Sequence, residues 1–172
     1  ANLVELVRGA VTLQKAGQVG VEIEATLPGT EVPAELDETM IGQALTNLIK
    51  NAGEAIESLQ QAGEAPPGHV PTIRVALETQ GKEGVVTIQD NGIGLPADRA
   101  RLFEPYVTTR DKGTGLGLPI VKKIIEEHGG TLVLEDADLF GGTDRPGARA
   151  VVRLPIKALT PETQGTAQDA AE

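Results

Sequence analysis

Apolar residues recur along this chain in two rhythms. Over 3–14, Leu3, Val4, Leu6, Val7, Ala10, Val11 and Leu13 fall at helical spacing. Over 20–27 the pattern alternates, as in a strand with one wet face. Asp37 suits an N-cap, and the long segment that follows, to about Gln60, places Ile41, Leu45, Leu48, Ala52, Ile56 and Leu59 on one helix face. Asn47, Lys50, Asn51, Glu54 and Ser58 form a separate polar stripe on that helix. A loop with Pro66-Pro67-Gly68 follows over 61–71. Segments 72–78 and 85–89 read as strands joined in a hairpin through 80–84. Leu95-Pro96 opens a short helical piece ending near Phe103, and 104–117 has the composition of a loop. A helix is expected over 118–128, with Pro119 tolerable in its first turn and Gly129-Gly130 closing it. Strands at 131–135 and 148–154 flank a glycine-bearing loop, and the tail after Ile156 is polar and small-residue rich. Runs of helix, then strands, then helix and strands predict a two-layer α/β (α+β) sandwich, its helices on one face of a mixed sheet of about five strands.

Composition narrows the chemistry. The 172 residues suit one domain: 1–157 as the folded unit and 158–172 as a disordered tail. Aromatics are confined to Phe103, Tyr106 and Phe140, so the core must be aliphatic. A formal charge of −10 argues against a nucleic-acid surface. The chain has no Cys, which excludes disulfides, thiolate metal sites and a cysteine nucleophile. No apolar run nears the roughly 20 residues of a membrane span, so the chain is expected to be soluble and cytoplasmic.

Three segments carry candidate chemistry. Asn47 and Asn51 lie one turn apart on the long helix; an amide oxygen is a hard, neutral ligand suited to Mg²⁺, and Lys50 could reach a phosphate. The same residues would also serve on an ordinary solvated face. Asp90 ends a strand, where a carboxylate can accept a hydrogen bond from an exocyclic amine such as that of adenine, with Gly92 and Gly94 letting the backbone close around a flat base. Asp90-Asn91-Gly92 is equally a hairpin-turn signature, although 95–98 does not continue as a strand. Last, Gly113, Gly115 and Gly117 precede a helix, so free N–H groups and the helix dipole could face phosphate. The spacing is not that of a dinucleotide-binding fingerprint, whose glycines follow a strand directly, and no Gly-Lys-Ser/Thr is present.

In this order the segments resemble the boxes of the catalytic ATP-binding domain of bacterial sensor histidine kinases, in the superfamily that includes gyrase, Hsp90 and MutL. Residues 47–52 are similar to the N box, 90–94 to the G1 box, Phe103-Glu104-Pro105-Tyr106 to the F box and 113–117 to the G2 box. The resemblance is close over 37–155. The phrases at 103–110, at 115–123 and at Asn51-Ala52-Gly53-Glu54-Ala55 are similar to nitrogen-regulation kinases. The resemblance implies Asn51 as Mg²⁺ ligand with Asn47 supporting it, and Lys50 beside them in the catalytic set. It implies Asp90 as reader of the adenine amine. Gly113, Gly115, Leu116 and Gly117 would offer N–H groups to phosphate. The implied ATP contacts extend to Glu54, Ile93, Thr109, Arg110, Lys112, Thr114 and Leu118, with 95–114 as a lid. Two departures stand out: Ala55 where many relatives carry an aromatic, and Gly147-Ala148 where many have Gly-Thr.

The resemblance also bears on chemistry. The hydrolases of that superfamily place a Glu one turn before the metal-binding Asn; here Asn47 stands there, and an amide cannot take a proton as a carboxylate does. The implied activity is ATP-dependent phosphorylation of a histidine in two-component signalling; the alternatives are an ATP-hydrolysing or a nucleotide-sensing domain. His69 and His128, the only histidines, lack the setting of the family's acceptor. The implied partners are a histidine-bearing dimerisation domain outside this chain and, indirectly, a response regulator. The isolated domain is expected to be monomeric, and the parent kinase could be anchored in the inner membrane.

Overall fold

A computed structural model describes residues 1–96, 117–143 and 145–157. In chain order the elements are α1 (Leu3–Gly17), β1 (Glu22–Thr26), α2 (Glu38–Gln61), β2 (Thr72–Gln80), β3 (Glu83–Asp90), α3 (Gly117–Glu127), β4 (Thr131–Asp136) and β5 (Ala148–Pro155). The sheet order is β1-β2-β3-β5-β4, with β1 parallel to β2 and every other pair antiparallel. The expected α/β (α+β) sandwich is therefore the observed one. The parallel edge pair follows from α2, which crosses between β1 and β2 as such a pair requires.

Local chemistry accounts for the helix ends. Asp37 caps α2 by accepting from the Met40 N–H at 2.9 Å. At the other end Gly63, with φ +72°, lets the Glu64 N–H reach the Leu59 carbonyl and its own N–H reach that of Gln60. The end of α3 repeats the arrangement: Gly129 has φ +80°, and the Gly130 and Gly129 N–H groups bond the carbonyls of Ile125 and Glu126. Both are Schellman closures, which need a left-handed residue that glycine adopts freely. The β2–β3 hairpin turns through Gly81-Lys82, tighter than the five-residue connection the sequence suggests, and Gln80 pairs with Glu83. β1 is shorter than the alternation at 20–27 implies, and only Ile23 of that strand is buried.

The core lies between the helices and one sheet face. Ile73, Val75 and Leu77 of β2, Val86 and Ile88 of β3, and Val152 and Leu154 of β5 meet Ile41, Leu45, Ile49, Ile56 and Ile125 there. The other face carries cross-strand ion pairs such as Arg149–Glu135 (2.7 Å) and Arg74–Glu24 (3.1 Å), which at such exposed positions add little stability.

Just past α1, Gln18 meets α2 at a glycine. The Gln18 amide lies over Gly53, donating to the Ile49 carbonyl at 3.3 Å; a Cβ on Gly53 would overlap that amide, with Gln18 Cδ at 2.7 Å. Alanine outranks glycine inside a helix by about 1 kcal/mol. Gly53→Ala alone should gain less than that, because Gln18 must be displaced, and the full gain should appear in a Gln18→Ala background. Denaturant titration of the four variants checks this; additivity within about 0.3 kcal/mol would show that the two residues do not meet.

Candidate functional site

The polar stripe of α2 is where periodicity puts it. Asn47, Asn51 and Glu54 are half-buried and Lys50 is exposed, while Leu48, Ile49 and Ala52 between them are buried. Asn47 and Asn51, at i and i+4, share one face about 6 Å apart at Cβ. Both amides thus stand beside the core rather than within it, open to a ligand.

The end of β3 is brought to this stripe by a glycine. The Ile93 N–H donates to the Ala55 carbonyl at 3.0 Å, one turn beyond Asn51. A Cβ on Gly92 would lie 2.5 Å from Ile56 N and 2.6 Å from the Ala55 oxygen. Glycine here serves the approach of the 90–93 backbone to α2, a different reason from the room for a base read from sequence. Gly94 (φ +89°) similarly faces the Pro146 carbonyl, which a Cβ would approach to 2.8 Å. Ala55, where an aromatic was noted as missing, is 1% exposed.

Asp90 is buried on the helix-facing side of the sheet, at 3% exposure. Its Oδ1 accepts from the Gly92 N–H at 2.9 Å and the Ala148 N–H at 3.3 Å, so the backbone orients the carboxylate. The second bond comes from the position noted for lacking a Thr hydroxyl; a main-chain donor stands there. Gly147 is equally constrained: a Cβ would overlap the Asp90 carbonyl and sit 2.7 Å from Oδ1.

Sequence reasoning missed Asn91, read as a turn residue. It is fully buried, accepts from the Thr72 N–H at 3.0 Å and donates to the carbonyls of Val70 (2.7 Å) and Phe140 (3.4 Å). Its own carbonyl accepts from His69 Nε2 at 2.7 Å. The glycine pair 141–142 was the one signal in the sequence that a loop approaches something closely there.

α3 enters from the opposite direction. His128, after its last turn, donates through Nδ1 to the Ile124 carbonyl at 2.8 Å and accepts at Nε2 from the Asp37 N–H at 3.2 Å. It ties the end of α3 to the start of α2. α3 itself packs on α2. Gly117 and Leu118 open that helix, the Leu118 side chain packing against the core. The other expected site residues, Thr109, Arg110, Lys112, Gly113, Thr114, Gly115 and Leu116, lie outside the described residues, as does the Phe103–Tyr106 box.

Residues 36–158 match the family model for histidine kinase-, DNA gyrase B- and HSP90-like ATPases. The chain belongs to this family. It is 44% identical over 168 residues to the nitrogen regulation protein NtrY of Azorhizobium caulinodans, covering 96% of this chain and 20% of that protein. It is 33% identical over 146 residues to the sensor histidine kinase ZraS of Escherichia coli O157:H7, covering 84% and 28%. The chain thus spans 20% and 28% of these relatives' lengths. Among solved structures, the mycobacterial sensor histidine kinase MprB superposes with a TM-score of 0.74 at 26% identity, covering 92% of this chain and 97% of that one. The catalytic domain of histidine kinase ThkA gives 0.69 at 29% identity, covering 95% and 96%. This histidine-kinase-type ATPase domain also bears out the likeness to nitrogen-regulation proteins. Among the described residues, no helix is long and apolar enough to cross a membrane.

Proposed function

We propose that this domain binds Mg-ATP and donates the γ-phosphoryl group to a histidine on a dimerisation and acceptor domain outside this chain, for onward transfer to a response regulator. The docking of 90–93 on α2 at Ala55 carries the reading, since it brings the strand end that bears the backbone-oriented Asp90 carboxylate onto the helix one turn beyond Asn51. Asp90 would take the adenine amine while Asn51 and Asn47 face the phosphate end. The donor set fits Mg²⁺: two neutral amide oxygens on one open face, with no cluster of three acidic or histidine side chains among the described residues. Mg²⁺ commonly takes few protein ligands and completes its shell with water and substrate phosphate, whose charge it neutralises when bound. The glycine-rich segment 113–117 would add N–H donors at the start of α3. An amide rather than a carboxylate at Asn47 favours transfer over hydrolysis, and both histidines of the chain already bond carbonyls in the fold.

The test mixes the domain with Mg-ATP and a separately made acceptor hairpin. Labelled histidine on the hairpin is the expected result; ATP binding without any labelling would defeat the proposal, and steady phosphate release without the hairpin would favour a hydrolase. A finer expectation concerns Asp90→Asn. It should weaken ATP by roughly tenfold or more, the scale of a hydrogen bond to a charged group. A nucleotide lacking the 6-amino group should lose much less. Equal losses in titration would remove Asp90 from base recognition.

A further inference from the structure

The residue next to Asp90 does more than follow it. Asn91 is wholly buried, and its amide holds two loops at once: Val70 and Thr72 at the end of the 62–71 connection, and Phe140 in the 137–147 connection. Gly141, at φ +64°, presses on this amide so closely that a Cβ there would overlap Nδ2 and sit 2.9 Å from the Val70 carbonyl. The far end of the 137–147 loop returns to the neighbouring residue. Its Gly147 lies against the Asp90 carbonyl and the Ala148 N–H bonds Asp90 Oδ1. The Ala137 N–H closes the loop on the Gly147 carbonyl at 3.0 Å. Two consecutive residues of one strand end thus anchor the same loop at two points.

We infer that Asn91 is a positioning residue for base recognition. By fixing the middle of the 137–147 loop it sets where the Ala148 N–H meets the Asp90 carboxylate, and hence how sharply the site separates an adenine nucleotide from a purine nucleotide without the exocyclic amine. Loss of the amide leaves the Thr72 N–H without its acceptor, and it takes one of two donors from each carbonyl: Val70 keeps the Thr72 hydroxyl and Phe140 the Thr143 N–H, neither of which ties the loops to the strand end. The inference rests on the reading of Asp90 given above.

The experiment titrates wild type, Asn91→Ala and Gly141→Ala with ATP and with purine riboside triphosphate, whose ring carries hydrogen in place of the 6-amino group. Wild type should prefer ATP. Both variants should lose that preference by roughly tenfold, through weaker ATP binding, while the purine nucleotide changes by less than about threefold. A purely structural role would depress both ligands together and leave their ratio alone; that result overturns the inference, as does an unchanged ratio at full affinity. Should Asn91→Ala not fold, Gly141→Ala decides, because it displaces the amide from the opposite side while every hydrogen-bonding group is kept. A wild type indifferent to the 6-amino group defeats the Asp90 reading and this inference together; a discriminating wild type with equally discriminating variants defeats this one alone.

Discussion

Asn51→Ala is expected to slow phosphoryl transfer to an acceptor histidine by about a thousandfold at saturating ATP. In such reactions little covalent chemistry falls to the protein, and the rate rests on positioning and on neutralising charge at the transferred group. Removing one contact that stabilises developing charge costs about 10²- to 10³-fold in enzymes where it has been isolated. The fold should not suffer. Asn51 is half-buried on the polar stripe of α2, outside the apolar face, and alanine is the better helix former. The measurement is single-turnover transfer to the hairpin, paired with ATP affinity with and without Mg²⁺. Wild type should bind more tightly with the ion, and the variant should lose most of that difference. A rate within tenfold of wild type would exclude Asn51 from the phosphate end.

Gly92→Ala should be among the most damaging single methyl additions in the described structure near the site. The new carbon would lie 2.5–2.6 Å from backbone atoms of Ala55 and Ile56 in the middle of α2, where no side chain can turn away to relieve it. Overpacking of this kind costs about 1–3 kcal/mol, and the Ile93 N–H bond to Ala55 would go with it, for about 1 kcal/mol more. A loss near 3 kcal/mol corresponds to a fall in melting temperature of about 10 °C for a domain of this size. Gly9→Ala is the control: it sits in α1 with open space around the new Cβ and should be neutral or slightly stabilising. Thermal melts compare the three proteins. A Gly92→Ala midpoint within about 2 °C of wild type would mean that β3 does not dock on α2 as described.

The three main helices were legible because their causes are local, while the short helical piece expected at 95–103 lies largely outside the described residues. The apolar face of α2, its Asp37 cap and the glycine closures of α2 and α3 all act within a few residues. The strands were legible from alternation, though not which neighbour each would take: β1 beside β2 depends on α2 crossing between them. Asn51 and Asp90 could be picked out by residue type. The meeting of the elements that carry them could not, since it depends on Gly92 meeting backbone 36 residues earlier, a contact with no side-chain signature. Asn91 was hidden for the same reason. An asparagine beside a glycine normally reads as a turn, and only burial against a loop 49 residues downstream reveals a hub. The Ala148 N–H is a related lesson: a backbone donor leaves no mark in the residue names, so a missing hydroxyl at that position looked like a missing partner.

The clamp at Asn91 has a bearing on how this part of the molecule can vary. Its partners, the N–H of Thr72 and the carbonyls of Val70 and Phe140, are peptide groups that any residue could present, proline at position 72 excepted. The two loops it secures are therefore held without regard to their side chains, Gly141 excepted. Surface chemistry around the base end is free to drift between descendants of one ancestor, or to be randomised in a library, while the strand end beneath keeps its shape. Diversity outside and constancy inside meet at a single amide.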